Sequence, residues 1–588
     1  MPVLLERVVS APRRLLVRTS VGLSPLRDYL EALGRPSEPA QPYAESRDRV
    51  APRLTRAALL GFLGIALITL GASQPNSPFT YKGVGAWFFG LPHTSSQPTG
   101  VPAQPPGTWL FLGVVAVYGG MLLLTRAWYD LVRTTSRHQG VPLSRLVPIF
   151  VAWIIPLLIV APLFSRDLYS YAAQGELMTR HGNPYQLGTY DIGSTPILNL
   201  ADPLWGHVTS PYGPVFLMLA GWIVSLANHN PIAALFGLRG LALLGTVMFA
   251  VAIPFIARTF NRDGATAFVL AALNPLILLH LVGGGHNDAL MIGFLAVGYA
   301  LARRGHPVLG IICCAIGAVV KVPALVGVVY IGWEWLGPNR TPRERIRPVV
   351  TAALIAGAVM ALLSEGAGLG WGWIGGLTNP DNIRSYLDPA TAIGLAAGKV
   401  VALVGLGDHT HILLTLARGS ALLLAAVIAI RLLLRSDEIG PLKALGWTLV
   451  AAAVLGPVVQ PWYVTWGFVF LAPVVEGTAR RVLCIASAAA SFLGLPGGFV
   501  LVHELGVANP VLVGLASAAL VGLLGVLVVP RVRRANHLRA AARATAGNGL
   551  FRGDEQLHQR DVEPAAEFAP DLALDADQLE PARAVEGD

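Results

Sequence analysis

The stretch LVPIFVAWIIPLLIVAPLFSRDLYSY, residues 146–171, decides how this chain is organised. The run from Leu146 to Phe164 carries no charged residue and ends at the pair Arg166 and Asp167. An apolar run of this length is typical of a membrane span. An ionisable residue at its edge costs free energy, so its presence there indicates a function. Asp167 is therefore the starting point for a candidate functional site.

The composition indicates an all-α integral membrane protein with many spans. The chain has 588 residues, of which 54% are hydrophobic and 13% charged, and its mean hydropathy is +0.58. Soluble domains carry about 25% charged residues. The three cysteines lie inside apolar runs, which predicts neither a disulfide nor a cysteine metal site. The basic residues form no single soluble face, which excludes a nucleic-acid-binding protein.

Basic clusters predict the topology, because Lys and Arg concentrate in cytoplasmic loops. If the clusters are inside, residues 165–237 and 367–410 form external loops. The apolar runs at 215–226 and 392–406 are then predicted to lie in the plane of the membrane on its external side. If they crossed the membrane, the basic clusters that follow them would lie outside. We predict a basic cytoplasmic segment (1–50), a membrane domain (51–530) with about 13–14 transmembrane helices and external juxtamembrane helices, and a largely disordered cytoplasmic tail (531–588).

Asp167 is the candidate catalytic residue. If residues 167–180 form a helix, Asp167, Tyr171 and Gln174 lie on one face, at positions i, i+4 and i+7. A carboxylate there can accept a proton from a substrate hydroxyl, with a pKa that burial raises and a neighbouring cation lowers. The alternative is a structural role, because Asp is favoured at helix N-caps.

A glycine-rich stretch, GGGHND at residues 283–288, joins two apolar runs on the predicted external side. Its glycines allow close approach of the backbone to a ligand or a positive φ angle. His286 and Asn287 can then hold a phosphate or a sugar hydroxyl. The alternative is a tight turn in which Asn287 or Asp288 caps the next helix.

Lys321 interrupts an otherwise apolar sequence, AVVKVP at residues 318–323. A buried lysine needs an anion or must lose its charge, so Lys321 is a candidate ligand for a lipid phosphate. The alternative is that its side chain snorkels to a headgroup.

Three polar and aromatic clusters are further candidates for a sugar site. They are the segment 378–386 with Arg384, the segment 460–463, and the group Trp205, His207 and Tyr212. Each is equally consistent with a loop and an aromatic belt, because Trp and Tyr collect at membrane interfaces. His409 and His411 are two residues apart and do not converge on a helix, so no metal site is predicted.

These elements together resemble a known family. Asp167 followed by Tyr-Ser-Tyr (169–171) and Gly-Asn-Pro-Tyr (182–185) looks like the first external loop of GT-C glycosyltransferases. With Gly-His-Asn-Asp at 285–288 and Lys-Val-Pro at 321–323, the chain is similar over residues 50–530 to the polyprenol-phosphomannose-dependent α-1,6-mannosyltransferases of actinobacterial lipomannan and lipoarabinomannan synthesis. The resemblance implies a polytopic GT-C-like fold.

The resemblance also implies a mechanism and a set of site residues. Asp167 corresponds to the general base that deprotonates the acceptor's 6-hydroxyl, in an inverting single displacement on polyprenyl-phosphomannose. His286, Lys321 and Arg384 are candidates for the donor phosphate, and Arg166 either joins them or pairs with Asp167. The predicted substrate-binding residues are Arg166, Tyr169, Tyr171, Asn183, Tyr185, Tyr212, His286, Asn287, Asp288, Lys321, Arg384, Gln460, Trp462 and Tyr463.

The expected partners are a lipid-linked sugar donor and a mannan or lipomannan acceptor, with no nucleic acid, cofactor or metal. The expected location is the plasma membrane, with the active site on its external face. Two alternatives stay open: the same chemistry with arabinofuranose or glucose, and a secondary transporter or lipid flippase. Convergence of Asp167, His286 and Lys321 in one outward cavity favours the enzyme, whereas a midplane site between similar halves favours transport.

Overall fold

The computed structural model describes residues 41–74, 77, 79–80, 87–88, 91–92, 107–203, 205–377, 387–493 and 517. Most of the predicted N-terminal segment, Arg384 and the predicted C-terminal tail lie outside these residues. The described part is almost entirely helical. Four strands of two residues each pair in two short ladders: Gln41–Pro42 with His138–Gln139, and Trp87–Phe88 with Leu91–Pro92.

Most of the described helices follow one another with short connections, whereas a long loop, residues 180–213, separates Asp167–Thr179 from Pro214–Leu226. In chain order they are α1 Tyr43–Ala72, α2 Gly107–Arg137, α3 Leu143–Ile159, α4 Asp167–Thr179, α5 Pro214–Leu226, α6 Pro231–Thr259, α7 Gly264–Ala271, α8 Asp288–Arg303, α9 Pro307–Ala318, α10 Leu325–Glu334, α11 Pro342–Gly366, α12 Trp373–Gly376, α13 Pro389–Leu403, α14 Thr410–Leu434, α15 Ser436–Ile439, α16 Pro441–Leu455, α17 Thr465–Leu471 and α18 Gly477–Ser491. Short 3-10 turns occupy Leu198–Leu200, Val322–Ala324 and Pro461–Val464, and a π-helical turn occupies Ile277–Gly283.

The apolar helices confirm the predicted class, an all-α polytopic membrane protein. Within the described residues, five helices are long and apolar enough to cross a membrane: Asp48–Ala72, Phe111–Arg137, Pro231–Thr259, Pro342–Gly366 and Thr410–Leu434. Six shorter apolar helices accompany them. α5 and α13, which the sequence predicts as in-plane segments, have 13 and 15 residues, short of the roughly 20 that a span needs. The count of about 13–14 spans and the in-plane placement stay predictions.

A buried arginine in α6 joins the two loops on which the site is built. The Arg239 guanidinium donates to the carbonyls of Leu158 and Val160, at 2.7 and 2.6 Å, and to that of Gly283, at 3.1 Å. Leu163 N also donates to the Gly283 carbonyl, at 3.2 Å. The chain leaving α3 is therefore held against the glycine-rich stretch, a few residues before Asp167.

A close backbone contact brings a third segment to the same place. Gly213 N donates to the Val320 carbonyl and Val215 N to the Val319 carbonyl, both at 3.1 Å. A Cβ atom at Gly213 would lie 2.1 Å from the Val319 oxygen, so only glycine permits this approach. The loop before α5 thus lies directly beside Lys321.

Candidate active site

Asp167 occupies the first position of α4, which begins where the sequence predicts. Arg166 stands at the N-cap and makes no side-chain capping bond, so the cap of this helix is not the aspartate. The Asp167 backbone N–H instead donates to Ser165 Oγ at 3.0 Å. The Asp167 side chain keeps 25% of its surface exposed, so it is enclosed by protein but reachable by a substrate.

One oxygen of Asp167 contacts protein groups. His286 Nδ1 lies 3.2 Å from Asp167 Oδ2, and the Tyr171 hydroxyl lies 3.5 Å from the same oxygen. The Tyr171 hydroxyl is also 3.4 Å from Asn287 Oδ1. Asp167 and Tyr171 therefore lie on one face of α4, as predicted, and Tyr171 links the aspartate to Asn287 in the glycine-rich stretch. Gln174, further along this face, accepts a hydrogen bond from Ser210 Oγ at 3.1 Å.

The surroundings keep Asp167 ionised. Burial acts to raise the pKa of its carboxyl group, but the hydrogen bond and charge of His286 act in the opposite direction. The charge of Lys321 and the hydrogen bond to Ser165 lower it further, and the resulting pKa is below the usual value of 3.8. Asp167 is therefore a carboxylate, able to accept a proton, at neutral pH.

The glycine-rich stretch holds three consecutive buried polar residues. Gly285 has a φ angle of +73°, which glycine adopts without strain. His286 is fully buried and stacks on Trp462, with ring centroids 3.7 Å apart. Asn287 stands at the N-cap of α8 but makes no side-chain capping bond. Four buried atoms here have no hydrogen-bond partner in the described structure: Nδ1 and Nε2 of His286, Asn287 Nδ2 and Asp288 Oδ2, although His286 Nδ1 lies within ion-pair distance of Asp167.

Lys321 is held inside the protein and does not snorkel away from it. Its Nζ donates to Asp288 Oδ1 at 2.8 Å, and the same oxygen accepts a hydrogen bond from Trp466 Nε1 at 2.6 Å. The Lys321 ammonium lies 4.4, 5.5 and 5.9 Å from the ring centroids of Tyr463, Trp466 and Tyr212. Its side chain is 14% exposed.

The two charged parts of the site belong to one cluster. The Tyr212 ring lies beside Lys321 and packs edge-on against Tyr171, at 5.1 Å between centroids. Tyr171 in turn contacts Asp167. Asp167, His286 and Lys321 thus come together in one cluster. That this cluster lines a cavity open to the outside stays a prediction.

Arg166 contacts the external loop, and the alternative that it pairs with Asp167 stays a prediction. Its guanidinium donates to the Ala201 carbonyl at 3.1 Å and lies 3.8 Å from the Asp202 carboxylate. These contacts tie the start of α4 to the external loop. Arg166 is therefore a support for that loop, and a direct contact with the donor phosphate stays a prediction.

The remaining predicted residues have mixed surroundings. Asn183 Oδ1 accepts a hydrogen bond from Tyr185 N at 2.9 Å, and the Tyr185 hydroxyl donates to the Tyr212 carbonyl at 2.8 Å, so this pair shapes the loop. Tyr169 is fully buried. Gln460 is half-buried and precedes the turn that carries Trp462 and Tyr463. Substrate contacts by these side chains stay predictions, as does the role of Arg384.

Two residues of the site were missed at the sequence level. Arg239 is a lone arginine in a long apolar run, and the rule that drew attention to Asp167 and Lys321 could have found it. Trp466 gave no such signal, because a tryptophan in an apolar segment looks like an ordinary interface residue. No group of three His, Cys, Asp or Glu residues that could hold a metal ion occurs among the residues that the structure describes.

The sequence of the chain matches family models in two regions. A family model described as the alpha-(1->6)-mannopyranosyltransferase N-terminal domain matches residues 58–337, and one described as the MptB C-terminal domain matches residues 390–527. No solved structure matches the chain significantly.

Curated relatives come from mycobacteria and corynebacteria. Alpha-(1->6)-mannopyranosyltransferase A of Mycobacterium tuberculosis is 31% identical, over 76% of this chain and 87% of the relative. Alpha-(1->6)-mannopyranosyltransferase B of Corynebacterium glutamicum is 31% identical, over 75% and 77%. A probable alpha-(1->6)-mannopyranosyltransferase of Mycolicibacterium smegmatis is 32% identical, over 60% and 69%. The chain therefore belongs to the alpha-(1->6)-mannopyranosyltransferase family, a family of membrane-bound hexosyltransferases.

Proposed function

We propose that this enzyme transfers mannose from polyprenyl-phosphomannose to an α-1,6-mannan acceptor, the lipomannan backbone, on the external face of the plasma membrane. The observation that carries the proposal is the Asp167 carboxylate, which is ionised, partly exposed and joined through Tyr171 and Tyr212 to the Lys321 ammonium. A group-transfer reaction needs a base for the acceptor and a positive charge for the leaving group, and this cluster supplies both.

The reaction is a single displacement at the anomeric carbon. The acceptor's 6-hydroxyl oxygen forms the new bond to that carbon as the bond to the phosphate oxygen breaks, and polyprenyl phosphate leaves. Asp167 takes the hydroxyl proton. Because Asp167 Oδ2 already contacts His286 and Tyr171, Oδ1 is the oxygen proposed to receive it. Inversion converts a β-linked donor into an α-linked product.

Lys321 is proposed to bind the donor phosphate. An ammonium group has three N–H donors, and Asp288 uses one of them. A remaining N–H donor is proposed to bind a phosphate oxygen, beside the aromatic rings of Tyr212, Tyr463 and Trp466. His286 Nε2 and the Asn287 Nδ2 donor are buried polar atoms that need a partner, and a bound substrate would supply it. No metal ion is required for the departure of a phosphate monoester held in this way.

The test is in vitro transfer from polyprenyl-phosphomannose to a short α-1,6-mannoside in membranes, with linkage analysis of the product. Asp167→Asn should lower kcat by about 10²–10⁴-fold, the usual contribution of a general base, without loss of protein from the membrane. Asp191→Asn is the matched control, since Asp191 also pairs with a histidine, His207 at 2.8 Å, on the same loop. Near-normal transfer by Asp167→Asn would remove the proposed base.

The same assay identifies the sugar that the enzyme transfers. Polyprenyl-phosphate donors carrying arabinofuranose or glucose should give no product where the mannose donor does. A preference for either of them would keep the base and the phosphate site but replace mannose as the substrate. Transfer that requires an added divalent cation would contradict the proposal that the side chains alone hold the phosphate.

A further inference from the structure

We propose that Trp466 is a positioning residue for the donor phosphate: its indole N–H fixes the Asp288 carboxylate, and that carboxylate orients the Lys321 ammonium. This inference rests on the proposed function, in which Lys321 binds the phosphate. Trp466 has no direct role in the displacement itself. It acts through two other side chains, so its effect must disappear when Lys321 is removed.

The hydrogen bonds define a chain of three groups. Trp466 Nε1 lies 2.6 Å and Lys321 Nζ 2.8 Å from the same Asp288 oxygen, Oδ1. The Asp288 side chain is fully buried, and its second oxygen, Oδ2, has no partner in the described structure. Because Oδ1 takes both bonds, the indole N–H is the one partner besides the lysine that restrains rotation of the carboxylate about its Cβ–Cγ bond. Loss of that N–H would let the Asp288 carboxylate, which binds the Lys321 ammonium, rotate.

The Trp466 ring gives a second restraint on the same ammonium. The ring stacks on Tyr463, with centroids 4.5 Å apart, and both rings lie near Lys321 Nζ, at 5.5 and 4.4 Å. Aromatic faces attract a cation but leave its N–H directions to be set by true acceptors. The rings therefore restrict where the ammonium can lie, and Asp288 restricts which way its remaining N–H groups point.

Three separate parts of the chain meet in this arrangement. Asp288 begins α8, Lys321 lies in the break between α9 and α10, and Trp466 lies in α17. Each supplies one group of the hydrogen-bonded chain. Lys321 is itself extended and lies between α9 and the 3-10 turn Val322–Ala324, outside any helix, so the position of its side chain depends on these two partners.

Trp466→Phe tests the inference because it keeps an aromatic ring and removes the N–H donor, and a second Trp→Phe variant accounts for the ring volume that is lost with it. We expect kcat/KM for the lipid donor to fall about threefold to thirtyfold, as for coupled residues in one network, with KM for the acceptor unchanged. Trp128→Phe is the matched control: Trp128 is equally buried, and its Nε1 donates to the Val269 carbonyl at 2.8 Å in another part of the molecule. It should leave kcat/KM for the donor unchanged.

A double-mutant cycle separates this inference from the proposed function. Lys321→Ala should lower kcat/KM for the donor, and adding Trp466→Phe should then have no further effect. If Lys321→Ala leaves donor use unchanged, the proposed phosphate site fails. Suppose that Lys321→Ala lowers kcat/KM for the donor and that Trp466→Phe lowers it by the same factor with or without Lys321. The positioning role of Trp466 is then wrong. It is also wrong if Trp466→Phe changes kcat/KM for the donor no more than Trp128→Phe does.

A second variant keeps the inference testable if Trp466→Phe does not accumulate in the membrane. Asp288→Asn preserves the volume and one acceptor oxygen but removes the negative charge that holds the ammonium. It should lower kcat/KM for the donor, again without any further loss in the Lys321→Ala background. Full additivity of Asp288→Asn with Lys321→Ala would overturn the inference just as clearly.

Discussion

Asp167 and Asp288 occupy equivalent places in the structure, since each is the first residue of a helix and neither caps it. A carboxylate in the first turn is stabilised by the helix dipole, so the fold favours negative charge at both positions. They differ in their partners. Asp288 is fully buried and bonded to Lys321, whereas Asp167 contacts His286 and retains exposed surface. The exposed carboxylate is the one available for proton transfer.

The pH dependence of the reaction should report the contact between Asp167 and His286. His286 lowers the pKa of Asp167, so replacing it with alanine removes a lowering effect and leaves the raising effect of burial. We expect the acid limb of the kcat/KM profile for His286→Ala to move to higher pH by about one to three units, the usual effect of a neighbouring opposite charge.

His207→Ala is the control for that measurement. His207 also contacts an aspartate, Asp191, but it is mostly exposed and lies outside the cluster. Its replacement should leave the acid limb where it is in the unaltered enzyme. An unshifted acid limb for His286→Ala would mean that His286 does not set the charge state of Asp167.

At the scale of elements, the site depends on contacts between loops and not on a single helix. The chain leaving α3 and the glycine-rich stretch are joined through Arg239 and through the Gly283 carbonyl, which accepts two hydrogen bonds. This clamp, formed by Arg239 with Leu158, Val160 and Gly283, lies just upstream of both Asp167 and His286. It fixes the register of one loop against the other.

Arg239→Lys should loosen the clamp, because a lysine cannot reach three carbonyls at once. Each charged hydrogen bond lost costs about 1.5–3 kcal/mol of stability. We also expect a lower kcat and an acid limb at higher pH, since Asp167 would lie less closely against His286. Thermal stability in detergent and the pH profile measure the two effects separately.

Arg345→Lys serves as the comparison for the clamp variant. Arg345 is another buried arginine, which donates to the Trp333 carbonyl at 2.8 Å and to Asp437 at 2.6 Å, away from the site. It should lower thermal stability without moving the acid limb. If Arg239→Lys behaves in the same way, the clamp supports the fold only.

At the scale of the whole molecule, apolar side chains cover the outer helices. α11 and α14 have few buried positions, and Leu354, Leu362 and Leu423 are each about 70% exposed. Such surfaces are unfavourable in water and are typical of helices that contact lipid. The polar cluster around Asp167 is built instead from helix ends and the connections between helices, with Asp167 and Asp288 at the first positions of α4 and α8.

The orientation of the chain can be tested by labelling of single cysteines after replacement of Cys313, Cys314 and Cys484. The charge distribution predicts residue 194 outside and residue 343 inside, and both side chains are exposed. A membrane-impermeant maleimide should label Ser194→Cys on intact cells and Arg343→Cys only after permeabilisation. The reverse pattern would place the active site in the cytoplasm.

Much of this site could be predicted from the sequence, because its charged residues stand in apolar surroundings. The helix starting at Asp167 and the role of 283–288 as its neighbour belong to that part. The partners of Arg166 could not be predicted, since two of them are backbone carbonyls, which every residue possesses. Trp466 was missed because its hydrogen bond to Asp288 arises from tertiary packing, which a tryptophan in an apolar stretch of sequence does not reveal.

Trp462 and Trp466 stand four residues apart on one continuous segment, the first stacked on His286 and the second bonded to Asp288. Successive residues of a helix are rotated by about 100°. An insertion or deletion of a single residue between them would therefore rotate one tryptophan relative to the other. If one indole kept its partner, the other would point away from its own. The segment from Trp462 to Trp466 should therefore tolerate substitutions of its side chains that face away from the site far better than any change in its length.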